Sequence, residues 1–183
     1  TQKGAEIVFP MSVSGVWAQY FECFNPETII MKYYGRWKAN SSSKYHSFIY
    51  RLAEAGVSDS EIAARIRNKW LAAGKIARAW GSRMHLEIEM ALTGRWYDPS
   101  MEEMQTFQCF VKEYLEERRW RLFRAEWAVY DEVVMVAGQI DAMFVDANGC
   151  LHMLDWKRVR HPLGADSGSE YGRWGVGPCE HLL

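Results

Sequence analysis

The sequence predicts an α/β fold: a helical N-terminal half, then a β-meander belonging to a mixed central sheet flanked by helices. Three observations carry the prediction. Apolar residues recur at helical spacing as far as Leu115. A period of two begins at Phe123, where Phe123, Ala125, Trp127 and Val129 alternate with Arg124, Glu126, Ala128 and Tyr130. Asn148-Gly149, a strong tight-turn signal, then separates two apolar runs. The 183 residues, 49% of them hydrophobic, suit a single domain with a real core. Within it, 1–97 is mostly helical, 98–160 holds a helix and the meander, and 161–183 is a Gly-rich loop.

Each element has a local cause. Asn25-Pro26-Glu27 opens a helix, with Asn as N-cap and Pro at the first helical position. Asn40 to Ser43 reads as a loop. Ser58 and Glu61 fit a capping box, followed by the stripe Ile62, Ile66, Trp70, Ala73 and Ala77. Gly74 and Gly81 mark points where that helix is expected to bend or end. A helix through His85 and Glu89 ends near Gly94. Pro99 starts another, with Met101, Met104, Gln108, Val111 and Leu115 on one face. Strands are expected near 122–130, 133–146 and 150–157.

Composition excludes little. The formal net charge is −1, so overall charge does not announce a polyanionic partner. Basic residues nevertheless cluster at Arg65–Arg83, at Arg118–Arg124 and at Lys157–Arg160; the first cluster alone reads as a solvated helix face. No apolar run reaches the ~18 residues of a membrane helix. No signal peptide is visible, and Cys23, Cys109, Cys150 and Cys179 show neither C-x-x-C spacing nor a disulfide framework. These features together read as an intracellular chain. It begins at Thr1 rather than Met and reads as a fragment.

The hairpin carries the chemistry. Its first strand holds Gly138-Gln139-Ile140-Asp141 and its second ends Leu154-Asp155-Trp156-Lys157. Asp141 interrupts an apolar strand, and a buried carboxylate is costly unless something neutralises it. Turn geometry leaves two arrangements open. A two-residue Asn148-Gly149 turn pairs Asp141 with Trp156 and turns the two aspartates apart. A three-residue loop, Ala147-Asn148-Gly149, pairs Asp146 with Cys150 and sets Asp141 across from Asp155 on one face. In that second register two hard oxygen donors offer a site for Mg²⁺ or Mn²⁺. Lys157, on the same face as Asp155, can orient a water nucleophile or offset charge on a phosphate. Upstream, His85 and Glu89 are four apart and share a helix face, while Glu87 lies on another. His85 offers a nitrogen ligand, Glu89 a hold on water, and Glu126 a further carboxylate.

G-x-x-x-H-x-x-x-E on a helix, G-x-I-D on a strand and D-W-K across a turn together resemble the PD-(D/E)XK nuclease superfamily, and within it the RecB-like exonuclease branch. That branch includes the nuclease domains of RecB and AddB and the mitochondrial genome maintenance exonucleases. The resemblance runs from Gly81 to Lys157. It implies a restriction-endonuclease-like core and Mg²⁺- or Mn²⁺-dependent cleavage of DNA. His85, Asp141 and Asp155 match the metal ligands, Glu89 the helical glutamate and Lys157 the catalytic lysine, with Asp141, Asp155, Glu89 and Lys157 as the catalytic set. Glu126 lies where many relatives carry another acidic residue. Arg158 and Arg160 adjoin the lysine and are read as nucleic-acid contacts. Ser12-Val13-Ser14 and Tyr20-Phe21-Glu22-Cys23 resemble the S-x-S and Y-x-x-C of the branch. Some relatives hold an iron–sulfur cluster through one such cysteine and three closely spaced C-terminal ones. Here the others are far apart, so no cluster is expected.

Two rival readings compete with the nuclease. One is the same fold binding nucleic acid without cutting it; the other is an interaction protein in which these residues form ordinary ion pairs. Relatives also carry a Q-x-x-x-Y helix after the lysine strand, and no such motif follows Lys157. The resemblance therefore implies weak or no cutting by these 183 residues, and restored cutting once the chain is extended beyond Leu183. Comparing both forms in a Mg²⁺ or Mn²⁺ cleavage assay checks this; equal rates would make that helix dispensable.

Overall fold

The structure is a computed structural model and describes residues 11–21 and 24–158. The expected loop at 161–183, Arg160, Cys23 and Cys179 lie outside these residues. Among the described residues the chain is α/β, with five helices and a mixed, open, four-stranded sheet. The elements are β1 (Met11–Ser12), α1 (Val13–Ala18), α2 (Pro26–Ala39), α3 (His46–Glu54), α4 (Asp59–Leu92) and α5 (Glu102–Phe110). A π-helical stretch (Val111–Glu117) follows, and then β2 (Arg121–Asp131), β3 (Val136–Val145) and β4 (Leu151–Leu154). The chain forms two compact units, 22–78 and 1–21 with 79–183. Among the described residues no helix is long and apolar enough to cross a membrane.

In the unit 22–78, Asn25 caps α2 through its Oδ1, which accepts from the Glu27 and Thr28 amides. Ser58 accepts from the Glu61 amide at 3.3 Å, while the Glu61 carboxylate turns to Arg65 instead of closing the box. Ile30, Ile49, Ile62 and Ile66 form the buried centre, with Trp37, Tyr45 and Trp70 packed against it. The stripe on α4 therefore buries its first two residues, whereas Ala73 and Ala77 are exposed. Neither Gly74 nor Gly81 ends α4, which is a single helix of 34 residues. A helical glycine costs only about 0.5–1 kcal/mol relative to alanine, too little to break it. The helix stops where expected. Gly94 has φ +71°, its amide reaches Ala91, and the Arg95 amide reaches the Met90 carbonyl at 2.8 Å, a Schellman ending.

The other unit has its own core. Met84 and Ile88 of α4, Met104, Phe107 and Phe110 of α5, and Tyr114 pack with Ala142 and Phe144 of β3 and with Leu154 and Trp156. The helix expected from Pro99 begins later, at Glu102, because Asp98 Oδ1 accepts from the Ser100 amide and hydroxyl and holds that stretch in a turn. Of the expected inner face, Met101 and Met104 are core residues and Val111 and Leu115 pack against the core; the rings of Phe107, Phe110 and Tyr114 join them, while Gln108 is exposed and donates to the Tyr97 hydroxyl.

β3 is the central strand. β2 runs antiparallel along one side of it, with a bulge between Leu122 and Arg124 that breaks the simple alternation expected there. β1 runs parallel at Val136–Ala137, and β4 antiparallel at Ala142–Val145, so both occupy its other side. β3 starts at Val136, not 133, because Asp131 Oδ1 accepts from the Val133 and Val134 amides and closes a turn. β4 ends at Leu154, short of the expected 157. Gly138 is a packing requirement: a Cβ there would lie 2.9 Å from Val13 Cγ2.

The hairpin adopts the three-residue loop. The Asp146 amide donates to the Cys150 carbonyl at 3.0 Å, and the Gly149 amide to the Asp146 carbonyl at 3.1 Å. Asp146 Oδ1 further accepts from the Asn148 and Cys150 amides. Gly149 takes φ +84°. A Cβ is disfavoured in that region, so Gly149→Ala should destabilise the chain by about 1–2 kcal/mol, lowering Tm by a few degrees. Thermal melts of both proteins check it.

Candidate metal centre

The hairpin register sets the site. Ala142 pairs with Leu154, and one step further Asp141 stands across from Asp155. On the other side, Ala125 pairs with Ala142 and Trp127 with Ile140, so Glu126 stands across from Asp141. Glu126 and Asp155 thus flank Asp141 from the segments on either side of β3, and each is coupled to it by charge. Leu154 and Trp156 are buried and Asp155 and Lys157 exposed, as alternation requires.

His85 completes the centre from α4. Its Nδ1 lies 3.5 Å from Asp141 Oδ2 and 3.6 Å from Glu126 Oε1. One donor atom from each of His85, Glu126 and Asp141 falls within 4.8 Å of the others. Their side chains are 28%, 21% and 11% exposed, so the cluster is partly shielded yet reachable. Other groups hold it in place. The Trp156 amide donates to Asp141 Oδ2 at 2.6 Å, and Gln139 Nε2 donates to Glu126 Oε2 at 2.7 Å. Glu126 has φ +45°, in the left-handed region that a non-glycine residue enters at a cost of roughly 1–3 kcal/mol.

Both carboxyls are pushed above their ordinary range. Burial is the main cause for Glu126; the Asp141 charge adds to it, His85 opposes it and Glu89 adds again. For Asp141 burial also dominates, opposed by the Trp156 amide and His85, with Asp155 raising and Lys157 lowering it. A site that raises carboxyl pKa values and offers one nitrogen and two oxygens fits a hard divalent cation, which would restore the ionised forms.

The expected residues divide into two groups. His85 and Asp141 meet. Glu126, which the sequence offered only as a further carboxylate, joins them as the third donor. Asp155 stands outside that trio: its Oδ1 accepts from Lys157 Nζ at 2.9 Å. Glu89 lies one turn beyond His85, is paired with Arg95, and acts on Glu126 through charge. Glu87, on another face, accepts from the Asp98 amide at 2.7 Å and is buried. Arg158 is paired with Glu103, its guanidinium 5.6 Å from the Trp80 ring centroid. Gln139 and the Trp156 amide went unnoticed in the sequence. Only the register reveals Gln139, and a backbone amide leaves no trace in residue types.

Comparison of the chain with protein-family models, with curated proteins and with solved structures found no match.

The raised pKa values fix a sign. A carboxyl whose folded-state pKa lies above its unfolded value favours folding below the unfolded value and loses that contribution as pH rises through the folded value. In metal-free protein Glu126→Gln should therefore raise Tm at neutral pH. The gain should shrink as acid protonates the wild-type carboxyl. The same variant should lose most of the Mn²⁺-induced rise in Tm. Melts across pH with EDTA or Mn²⁺ test both; an unchanged Mn²⁺ response would remove Glu126 from the ligand set.

Proposed function

We propose that the chain is a divalent-metal-dependent nuclease with a restriction-endonuclease-like core of the PD-(D/E)XK type, RecB-like branch, hydrolysing DNA as an exonuclease. One observation carries the proposal. His85, Glu126 and Asp141 converge at the motif positions, and among the described residues no lysine or arginine nitrogen lies within 4.0 Å of the Glu126 or Asp141 carboxylates. Carboxylates in ordinary ion pairs would have such partners.

Mg²⁺ or Mn²⁺ held by His85, Glu126 and Asp141, with Asp155 adjacent, would supply Lewis-acid polarisation of a phosphoryl oxygen. The chain's own groups do the rest. The Trp156 amide and Gln139 fix the two carboxylates, so little reorganisation is needed at reaction. Asp155 anchors the Lys157 ammonium, whose side chain is 66% exposed and open to substrate. Lys157 places a water and offsets charge on the phosphate. The water oxygen bonds to phosphorus as the bond to the leaving sugar oxygen breaks, and a proton passes to that oxygen. Glu89, one turn from His85, holds a second water beside the centre.

Lys157→Ala should leave Mn²⁺ binding intact while cleavage falls ~10²–10⁴-fold, the usual contribution of a positioned catalytic group. Asp141→Asn should lose both. Calorimetry with Mn²⁺ and a DNA cleavage assay, run on the chain and on a C-terminally extended form, separate the two effects. Near-normal cleavage by Lys157→Ala would sink the mechanism. Metal binding without cleavage by any form would favour a non-cutting nucleic-acid-binding module.

A further inference from the structure

Charge is segregated along this nearly neutral chain. Residues 22–78 hold ten lysines and arginines against five aspartates and glutamates, a net charge of +5; the remaining residues hold 12 against 18, a net −6. Inside the basic unit, ion pairs use up only three cations: Lys38 with Asp59, Arg65 with Glu61 and Arg67 with Glu27. Seven described cations there have no carboxylate within 4.0 Å among the described residues.

Three of these seven border one aromatic cluster. Lys32 Nζ lies 5.4 Å from the Tyr33 ring centroid, Lys44 Nζ 5.2 Å from that of Tyr45, and Lys69 Nζ 5.8 Å from that of Phe48. Tyr33 and Tyr45 belong to one run of rings: Tyr33 stacks on Trp37, Trp37 lies 4.5 Å from Tyr45, and Trp70 meets both Trp37 and Tyr45; Phe48 packs against the same isoleucine core as Trp37, Tyr45 and Trp70. All three lysines are exposed. The rings support the lysine stems while the ammonium groups stay in water.

We propose that this lysine-bordered helical surface of residues 22–78 binds the phosphate backbone of a nucleic acid. Ammonium groups without carboxylate partners release counterions when they meet phosphates, which drives sequence-independent binding. Rings bordering such a surface can also receive unstacked bases. The polyanion's identity rests on the nuclease reading; the excess positive charge does not.

The test measures binding to a labelled DNA oligonucleotide in EDTA, across a range of salt, for the wild-type chain, for K32Q/K44Q/K69Q and for K112Q. Lys112 is an exposed lysine of the other unit. The triple variant should bind roughly tenfold more weakly and lose about 2–3 from the slope of log Kobs against log salt, whereas K112Q should match the wild type. The proposal is overturned if the triple variant, melting like the wild type, keeps affinity and slope. It is overturned too if the chain binds anionic phosphatidylserine vesicles but no DNA. DNA degradation with Mn²⁺ is followed separately. Lysine-dependent binding without degradation by either the chain or its C-terminally extended form would leave the surface standing and sink the nuclease. Degradation with lysine-independent binding would do the reverse.

Discussion

The carboxylate of Asp141 accepts the Trp156 amide proton at 2.6 Å, in the middle of a sheet where backbone carbonyls normally take that role. The bond comes where the β3–β4 ladder ends at Leu154. Beyond that point the Trp156 amide serves a side chain, while its ring stays in the core against Phe107 and Phe110. Asp155 and Lys157, on either side of an anchored residue, are thereby presented outward beside Asp141. Losing this bond would free the strand end and strip Asp141 of a donor that favours its charge, so the register of the hairpin and the electrostatics of the centre depend on the same contact.

The centre is built against its own stability. Burial raises both Glu126 and Asp141, the Asp141 charge adds to the first and the Asp155 charge to the second, and Glu126 occupies a left-handed backbone conformation as well. Such costs persist only where the surrounding structure over-determines them. Here a buried core on one side of the sheet and a bulged β2 supply that constraint. On the nuclease reading, a divalent cation would supply a counter-charge between preorganised donors and offset these costs.

Much of this was legible in the sequence, and the failures have physical causes. The register could be derived as one of two alternatives because Gly149 suits the left-handed position that a three-residue loop demands, and β3–β4 pairing follows from it. His85 and Asp141 were legible because helical and strand spacing fix which faces they occupy. The role of Glu126 was not, because its side chain depends on a bulge and a positive φ that no periodicity encodes. β1 was invisible, because two residues carry no period. Pro99 misled because Pro marks a first helical turn in general, whereas here the Asp98 side chain holds a turn ahead of α5. Gly74 and Gly81 do not end α4 because about 1 kcal/mol against alanine is small beside the rest of a long helix.

The distribution of counter-charges argues most directly against a set of incidental ion pairs. Carboxylates around the centre are matched: Glu89 with Arg95, Glu87 and Asp98 with Arg83, Glu103 with Arg158, and Asp155 with Lys157. Glu126 and Asp141, partly buried and close together, have His85 as their only cationic neighbour within 4.0 Å among the described residues. An unpaired buried charge costs far more than an exposed one. Glu87, the most buried of these carboxylates, has Arg83 beside it, whereas Glu126 and Asp141 have neither arginine nor lysine within 4.0 Å among the described residues. On the nuclease reading, the absence of arginine and lysine from this pair leaves a place for a metal cation, which either side chain would fill. Lys157, held by Asp155 one strand away, then stands close enough to act on Asp141 through charge yet apart from the trio that would take the metal.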